Sequence, residues 1–290
     1  MFGVSPAYFI SRYGDRFTPR DVINALTDLK LLGYDCFQLE VYHTDTIQLW
    51  TDGGLGEIIA AAHAAGMTIS QFVGHVLLNA FSDEAALFSP WGIAETAAIA
   101  ALLPPERCPV FTLPIPAFNS AVGLTRGLAD WTRIEQRFIE KLGTMAQVIE
   151  RRGLRVALEV LPGSLVGGIH GFLTLADRLQ RNGIANPGFN LDTGHAWASR
   201  EPLPLAVARL GDRIVGTHLC DNWAGENLSL TPGSAGIDWP AVLSTLRTTG
   251  YAGSYDIEIH CAADEAAAEY AKALRFVSAA VNHTPVQEAV

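Results

Sequence analysis

Residues 188–195 read G-F-N-L-D-T-G-H, and residues 155–162 read R-V-A-L-E-V-L-P. Each is a short apolar run carrying one carboxylate, Asp192 in the first and Glu159 in the second. An ionised carboxylate inside V-A-L-E-V-L is costly to bury unless it is paired or metal-bound. The pattern recurs downstream in I-V-G-T-H-L-C-D-N, which carries His218, and in Y-D-I-E-I-H, which carries Glu258. Four successive strand-like runs thus each end in a side chain able to ligate a metal.

Working outward from these runs, a short apolar strand followed by an amphipathic helix repeats along the chain. Strands are expected at Gly3–Ala7, Cys36–Val41, Thr68–Val73, Val110–Leu113, Arg155–Val160, Gly188–Leu191, Ile214–Leu219 and Ser254–Ile259. Helices are expected at Pro19–Leu32, Gly54–Ala65, Pro90–Leu103, Thr132–Arg152, Gly171–Asn182, Leu203–Arg209, Trp239–Thr249 and Ala263–Ala280. Thr18-Pro19 and Ser89-Pro90 each offer a cap followed by proline at the first helical position. Eight alternations imply a parallel sheet, and eight strands close a barrel. A doubly wound open sheet would carry a glycine-rich loop after its first strand; here that segment is Ser5-Pro6-Ala7-Tyr8. The expected fold is α/β, a single (β/α)₈ TIM barrel, with residues 1–290 as one domain.

Composition agrees. The 290 residues are 49% hydrophobic, enough for a substantial core without staples. With 20 Lys plus Arg and a net charge of −10, the chain lacks the basic footprint of a nucleic-acid binder. Cys36, Cys108, Cys220 and Cys261 are widely spaced, read as small buried residues, and fit a reducing cytoplasm. No run of about 18 apolar residues suggests a membrane span. The opening M-F-G-V-S-P-A-Y-F-I reads as a first strand rather than a signal peptide.

In such barrels the chemistry sits at the C-terminal strand ends. Glu159, Asp192, His218 and Glu258 would converge there, and three carboxylates on one rim would repel one another without a cation. Three carboxylates and one imidazole favour a single hard divalent ion, Mn²⁺ or Mg²⁺, with Co²⁺ or Zn²⁺ as further candidates. The spacings support this: 33 residues from Glu159 to Asp192, 26 to His218 and 40 to Glu258. The longer last interval reflects the loop that runs through T-P-G-S-A-G-I-D-W.

The elements A-L-E-V, L-D-T-G-H, G-T-H-L-C-D-N, P-G-S-A-G-I-D-W and D-I-E-I resemble the xylose-isomerase-like sugar isomerase/epimerase barrels, across most of the chain. That group includes ketose 3-epimerases, hydroxypyruvate isomerase, inosose-processing enzymes and 3-dehydroshikimate dehydratase. The resemblance implies that Glu159, Asp192, His218 and Glu258 are the metal ligands. It further implies that Glu159 and Glu258 are catalytic, moving a proton α to a carbonyl bound at the ion, through an enediolate. It implies too that His195 contacts a substrate oxygen, and that the protein is a homo-oligomer acting on a sugar or keto-polyol. Endonuclease IV shares the barrel, but it needs an Asp-x-His between the last two strands. No histidine lies between His218 and Glu258 here.

Two departures loosen the substrate. The ketohexose 3-epimerases carry an arginine soon after the seventh-strand histidine, where this chain has Asp221-Asn222-Trp223-Ala224-Gly225. They also place a carboxylate shortly after the fifth-strand glutamate, where this chain has Leu161-Pro162-Gly163-Ser164-Leu165.

Further substrate-binding candidates are Glu40 and His75, at the ends of the second and third strands, and Asp221, which could hold a hydroxyl or pair with a ligand. His260 shares the face of Glu258 by alternation. Trp50, Phe118, Trp197 and Trp223 lie in loops after strands and could form a pocket wall. The expected function is a metal-dependent sugar isomerase or epimerase. The same enolate chemistry would serve a dehydratase of a cyclic hydroxy-ketone, and a catalytically inactive binding barrel is a third reading.

Overall fold

In the computed structural model, which describes residues 1–120 and 126–283, eight strands run parallel: β1 (Phe2–Val4), β2 (Cys36–Glu40), β3 (Thr68–Val73), β4 (Val110–Ile115), β5 (Arg155–Val160), β6 (Gly188–Asp192), β7 (Ile214–His218) and β8 (Tyr255–Ile257). Each pairs with its sequence neighbour from β1 to β7, and β1 also pairs with β8. Closure occurs one residue past β7. Leu219 bridges Ile257 in parallel, its N–H donates to the Asp256 carbonyl at 2.8 Å, and Glu258 N–H donates back to Leu219 at 3.0 Å. The fold is a (β/α)₈ TIM barrel.

A helix follows each strand: α1 (Pro19–Leu32), α2 (Leu55–Ala64), α3 (Ile93–Ala100), α4 (Leu128–Glu150), α5 (Gly168–Arg181), α6 (Leu203–Leu210), α7 (Trp239–Thr248) and α8 (Ala266–His283). The Thr18 cap acts as expected: its hydroxyl accepts from Asp21 N–H, and the Asp21 carboxylate accepts from Thr18 N–H at 2.8 Å. Ser89-Pro90 does not start α3. Ser89 Oγ accepts from Trp91 N–H, Gly92 takes a left-handed φ of 99°, and the helix begins only at Ile93. β1 is shorter than expected because Ser5-Pro6 turns the chain at once into a helix over Ala7–Tyr13. No described helix is long and apolar enough to cross a membrane.

Period-2 alternation explains the two sides of the barrel. Phe37 and Leu39 of β2, Leu158 of β5, and Phe189 and Leu191 of β6 join the apolar core shared with the helices. Between them, Gln38, Asn190 and Asp256 are wholly buried and bond across the barrel interior. Interiors of this fold are usually filled by branched aliphatic residues. Here Gln71 Nε2 spans from β3 to Asn190 Oδ1 on β6 at 2.8 Å, and Gln38 Nε2 reaches from β2 to Asp256 Oδ2 on β8 at 2.9 Å. A register shift places two residues of β3 opposite Gln38, so that neighbouring Ser70 and Gln71 both reach interior partners.

Candidate active site

At the C-terminal rim, β5 delivers Glu159, β6 Asp192 and β7 His218, with Asp192 and His218 in register. Glu258 is the residue after β8. His218 is the hub. Its Nδ1 lies 2.9 Å from Glu159 Oε1 and 3.0 Å from Glu258 Oε2, and its Nε2 lies 2.7 Å from Gln38 Oε1. Ligand atoms of Glu159, Asp192 and His195 all fall within 4.8 Å of one another, as do those of Asp192, Cys220 and Glu258.

The L-D-T-G-H turn explains the placement of Asp192. It is the N-cap of a short helix, Thr193–Ala198, and its Oδ1 accepts from His195 N–H at 2.8 Å. Its other oxygen, Oδ2, is buried and accepts no hydrogen bond among the described residues. His195 Nε2 approaches it at 3.3 Å without hydrogen-bond geometry. Thr193 Oγ1 locks the turn to the next strand end by donating to the Cys220 carbonyl at 2.7 Å and accepting from Cys220 N–H at 3.0 Å. Gly194 is required by close approach: a Cβ there would collide with Asn227 Oδ1 and Cys220 Sγ.

The electrostatics are those of a crowded anionic rim. Burial opposes charge on His218, yet Glu159 and Glu258 outweigh it and raise its pKa well above the ordinary range. Burial raises Asp192, and Glu258 and Glu159 add to the effect against the pull of His195. Burial would raise Glu258 too, but the His218 imidazolium drives it down. The Cys220 thiol is raised by burial and by Asp192, so it keeps its proton beside Asp192 Oδ1 at 3.5 Å. A buried carboxylate oxygen without a donor, next to two more carboxylates and an imidazole, suits a hard divalent cation. On this test the residues fit a metal.

A cavity of about 280 Å³ opens above this cluster, lined by Glu159, His195, His218 and Glu258. Glu40 and His75 also line it, paired through Nδ1 and Oε1 at 2.9 Å. Burial opposes a charge on His75, but Glu40 raises its pKa overall. His260 lies on the rim. Asp221 is different. It is fully buried and absent from the lining, and its carboxylate accepts from the N–H groups of Asn222, Gly233, Ala235 and Ile237 and from Trp239 Nε1. It ties the loop after β7 together instead of facing substrate. None of Trp50, Phe118, Trp197 and Trp223 lines the cavity either: Trp50 packs on Phe17, and Trp223 is exposed.

Sequence reading missed several contributors. Tyr42, stacked on His75 at 4.2 Å, supplies the aromatic wall. Pro6, Ala7 and Ile10 enter from the helix that interrupts β1. Asn227 Nδ2 lies 3.3 Å from His195 Nδ1, and Ser229 Oγ 3.5 Å from Glu258 Oε1. Gln38 alone left a trace in the sequence, as an amide within the apolar run C-F-Q-L-E.

A family model described as "Xylose isomerase-like TIM barrel" matches residues 26–280. The chain belongs to that family. Solved structures share the fold at low identity. The 3-keto-D-glucoside 4-epimerase YcjR of E. coli superposes with a TM-score of 0.72 at 18% identity, covering 96% of this chain and 98% of that one. The D-psicose 3-epimerase of Clostridium cellulolyticum H10 gives 0.70 at 18% identity, covering 97% and 99%. Among curated proteins, L-ribulose-5-phosphate 3-epimerase UlaE of Escherichia coli is 30% identical over 159 residues, 53% of this chain and 54% of its own length. An uncharacterized protein, y4fM of Sinorhizobium fredii, is 33% identical over 108 residues, 37% of this chain and 33% of its own length. The chain thus matches about half or less of the length of these curated relatives.

Proposed function

We propose that this protein is a divalent-metal-dependent isomerase or epimerase of a sugar or keto-polyol, with Glu159, Asp192, His218 and Glu258 holding the ion. The observation that carries the reading is the buried, donorless Asp192 Oδ2 beside Glu159, Glu258 and His218 at the C-terminal rim. Mn²⁺ and Mg²⁺ suit the donor set best. When bound, the ion supplies Lewis-acid polarisation of the substrate carbonyl.

The protein's own groups do the rest. Glu159 and Glu258 reach the cavity from β5 and from the end of β8. One takes the proton α to the carbonyl, leaving an enediolate, and the other returns it. Return to the opposite face of the same carbon is epimerisation; return to the neighbouring carbon, with the hydroxyl proton passing from one oxygen of the enediolate to the other, is isomerisation. His195 has Nδ1 beside Asn227 and Nε2 toward the cluster, which aims it to contact a substrate oxygen. Glu40 and His75 form a charge-paired wall suited to hydroxyl groups. The relatives named as epimerases of ketoses and of a keto-glucoside support the same reaction class.

The test is metal analysis of the purified protein, followed by incubation with Mn²⁺ and a panel of ketoses, inososes and keto-glucosides in D₂O. Deuterium entering α to the carbonyl without loss of water is the expected result. Elimination of water in its place would make the protein a dehydratase. Failure to bind any divalent ion would end the metal reading.

A further inference from the structure

We infer that the substrate is an uncharged polyhydroxy-ketone, bearing neither phosphate nor carboxylate; this rests on the isomerase/epimerase reading and narrows it. The first observation is the composition of the cavity wall. No lysine or arginine lines it, and the stretches 121–125 and 284–290 contain none. Arg12 lies two residues beyond the lining residue Ile10, but it is spent on Tyr8 Oη at 2.8 Å and Asp28 at 2.7 Å. Recognition of phosphate normally relies on such side chains or on clustered backbone N–H groups.

Three of the four imidazoles in the wall already stand beside carboxylates, so they offer a phosphate no uncompensated charge. His75 gives Nδ1 to Glu40, and His218 spends both nitrogens on Glu159, Glu258 and Gln38. His195 faces Asn227 on one side and Asp192 on the other. Only His260, exposed at the rim, lacks such a partner among them.

The backbone donors gathered in the loop after β7 are spent as well. TIM barrels often hold phosphate with the loops after the last two strands. Here the loop after β7 aims the N–H groups of Gly233, Ala235 and Ile237, with Trp239 Nε1, at one anion, and that anion is the buried carboxylate of Asp221. The chain fills its own oxyanion nest.

Charge and size agree. With Glu40 paired to His75, the carboxylates of Glu159, Asp192 and Glu258 still outweigh one divalent ion, so a further anion enters against repulsion. The cavity of about 280 Å³ lies just below the usual range of ligand sites, about 300 to 1,000 Å³. Pro6, Ala7, Ile10, Val73, Pro114 and Leu161 give it an apolar lining that suits the carbon skeleton of a compact neutral sugar. The curated relative UlaE is named for a phosphorylated ketose; this chain is assigned the free one.

The experiment uses matched pairs on the Mn²⁺-loaded protein: L-ribulose with L-ribulose 5-phosphate, and D-fructose with D-fructose 6-phosphate, read by α-proton exchange in D₂O. In parallel, thermal unfolding is followed with millimolar inorganic phosphate and with each sugar. The expected result is exchange on a free ketose with kcat/KM at least tenfold above its phosphate, and no shift of Tm with inorganic phosphate. Equal or faster exchange on a phosphorylated member would overturn the inference and leave the epimerase reading standing. Exchange on no member, with Mn²⁺ bound and no sugar-induced Tm shift, would overturn both.

Discussion

His218 Nε2 stands 2.7 Å from Gln38 Oε1, and this one contact decides which nitrogen of the ring can face a cation. The Gln38 amide cannot turn over freely, because its Nε2 donates to Asp256 Oδ2 at 2.9 Å and to the Thr217 carbonyl at 3.3 Å. Oε1 is left to accept from the ring, so Nε2 carries the proton and Nδ1 faces Glu159 and Glu258. Ligand-orienting contacts of this kind are worth roughly 10- to 100-fold in metal affinity. Gln38→Leu should weaken Mn²⁺ binding by that order in a calorimetric titration. Unchanged affinity in Q38L would mean that the ring is held by other contacts.

Replacing either proposed proton carrier should separate chemistry from folding. Glu159→Gln and Glu258→Gln keep the shape of the side chain while removing a base. General acid–base groups contribute about 10²- to 10⁴-fold. Deuterium exchange should fall by at least that much while the far-ultraviolet circular dichroism stays unchanged. Wild-type exchange in either variant would place the proton transfers elsewhere.

Metal binding should strengthen with rising pH. In the metal-free protein, Glu159 and Glu258 overcome burial to hold a proton on His218 well above the ordinary imidazole range. An ion that takes Nδ1 must displace that proton, so affinity should rise by up to about tenfold per pH unit below the raised pKa. Titrations at several pH values, in two buffers of different ionisation enthalpy, measure both the slope and the proton released. A flat profile would exclude Nδ1 as a ligand.

Asp221 should matter for stability more than its distance from the cavity suggests. Asp221→Ala strands the buried Ile237 N–H and Trp239 Nε1 and the half-buried N–H groups of Gly233 and Ala235. Each unsatisfied buried group costs about 1–3 kcal/mol. Chemical denaturation should show a loss exceeding about 2 kcal/mol, and a loss under half of that would mean the loop rearranges to recover its bonds.

Lys141 gives a second pH signature. It is fully buried with Nζ on the carbonyls of Ala80 and Ala86, and burial lowers its pKa to about 8. The unfolded chain then holds more protons than the folded one between about pH 8 and the unperturbed lysine value of about 10.4. In that window stability gains with rising pH. Relative to Lys141→Met, the wild type should gain on the order of 2 kcal/mol from pH 8 to pH 10, and a constant difference would rule out a depressed lysine.

Much of this was legible in the residues because it depends on local periodicity. Eight apolar runs with intervening amphipathic stretches specify the barrel, since strand and helix faces are set by spacing alone. The four rim residues were visible because a charge inside an apolar run is costly and therefore conspicuous. Asp221 was misplaced because a carboxylate beside a strand end looks the same in sequence whether it faces a cavity or collects donors from residues 12 to 18 positions later. The helix over Ala7–Tyr13 was hidden by its brevity, and the loss of the Ser89 cap turned on the left-handed φ of Gly92.

The sequence by itself determined the (β/α)₈ architecture and the identity of the rim residues, because both follow from local pattern and from the energetic cost of buried charge. Only the tertiary structure decided how the rim is wired. Closure of the barrel sets β8 beside β7 and brings β2 to face β7 across the interior, so that Gln38 meets His218 across 180 positions of chain and Asp256 meets Gln38 across 218. It likewise settles that Asp221 faces inward to its own loop and that Tyr42 walls the cavity. Those contacts join residues far apart in sequence, and their geometry exists only once the chain has closed on itself.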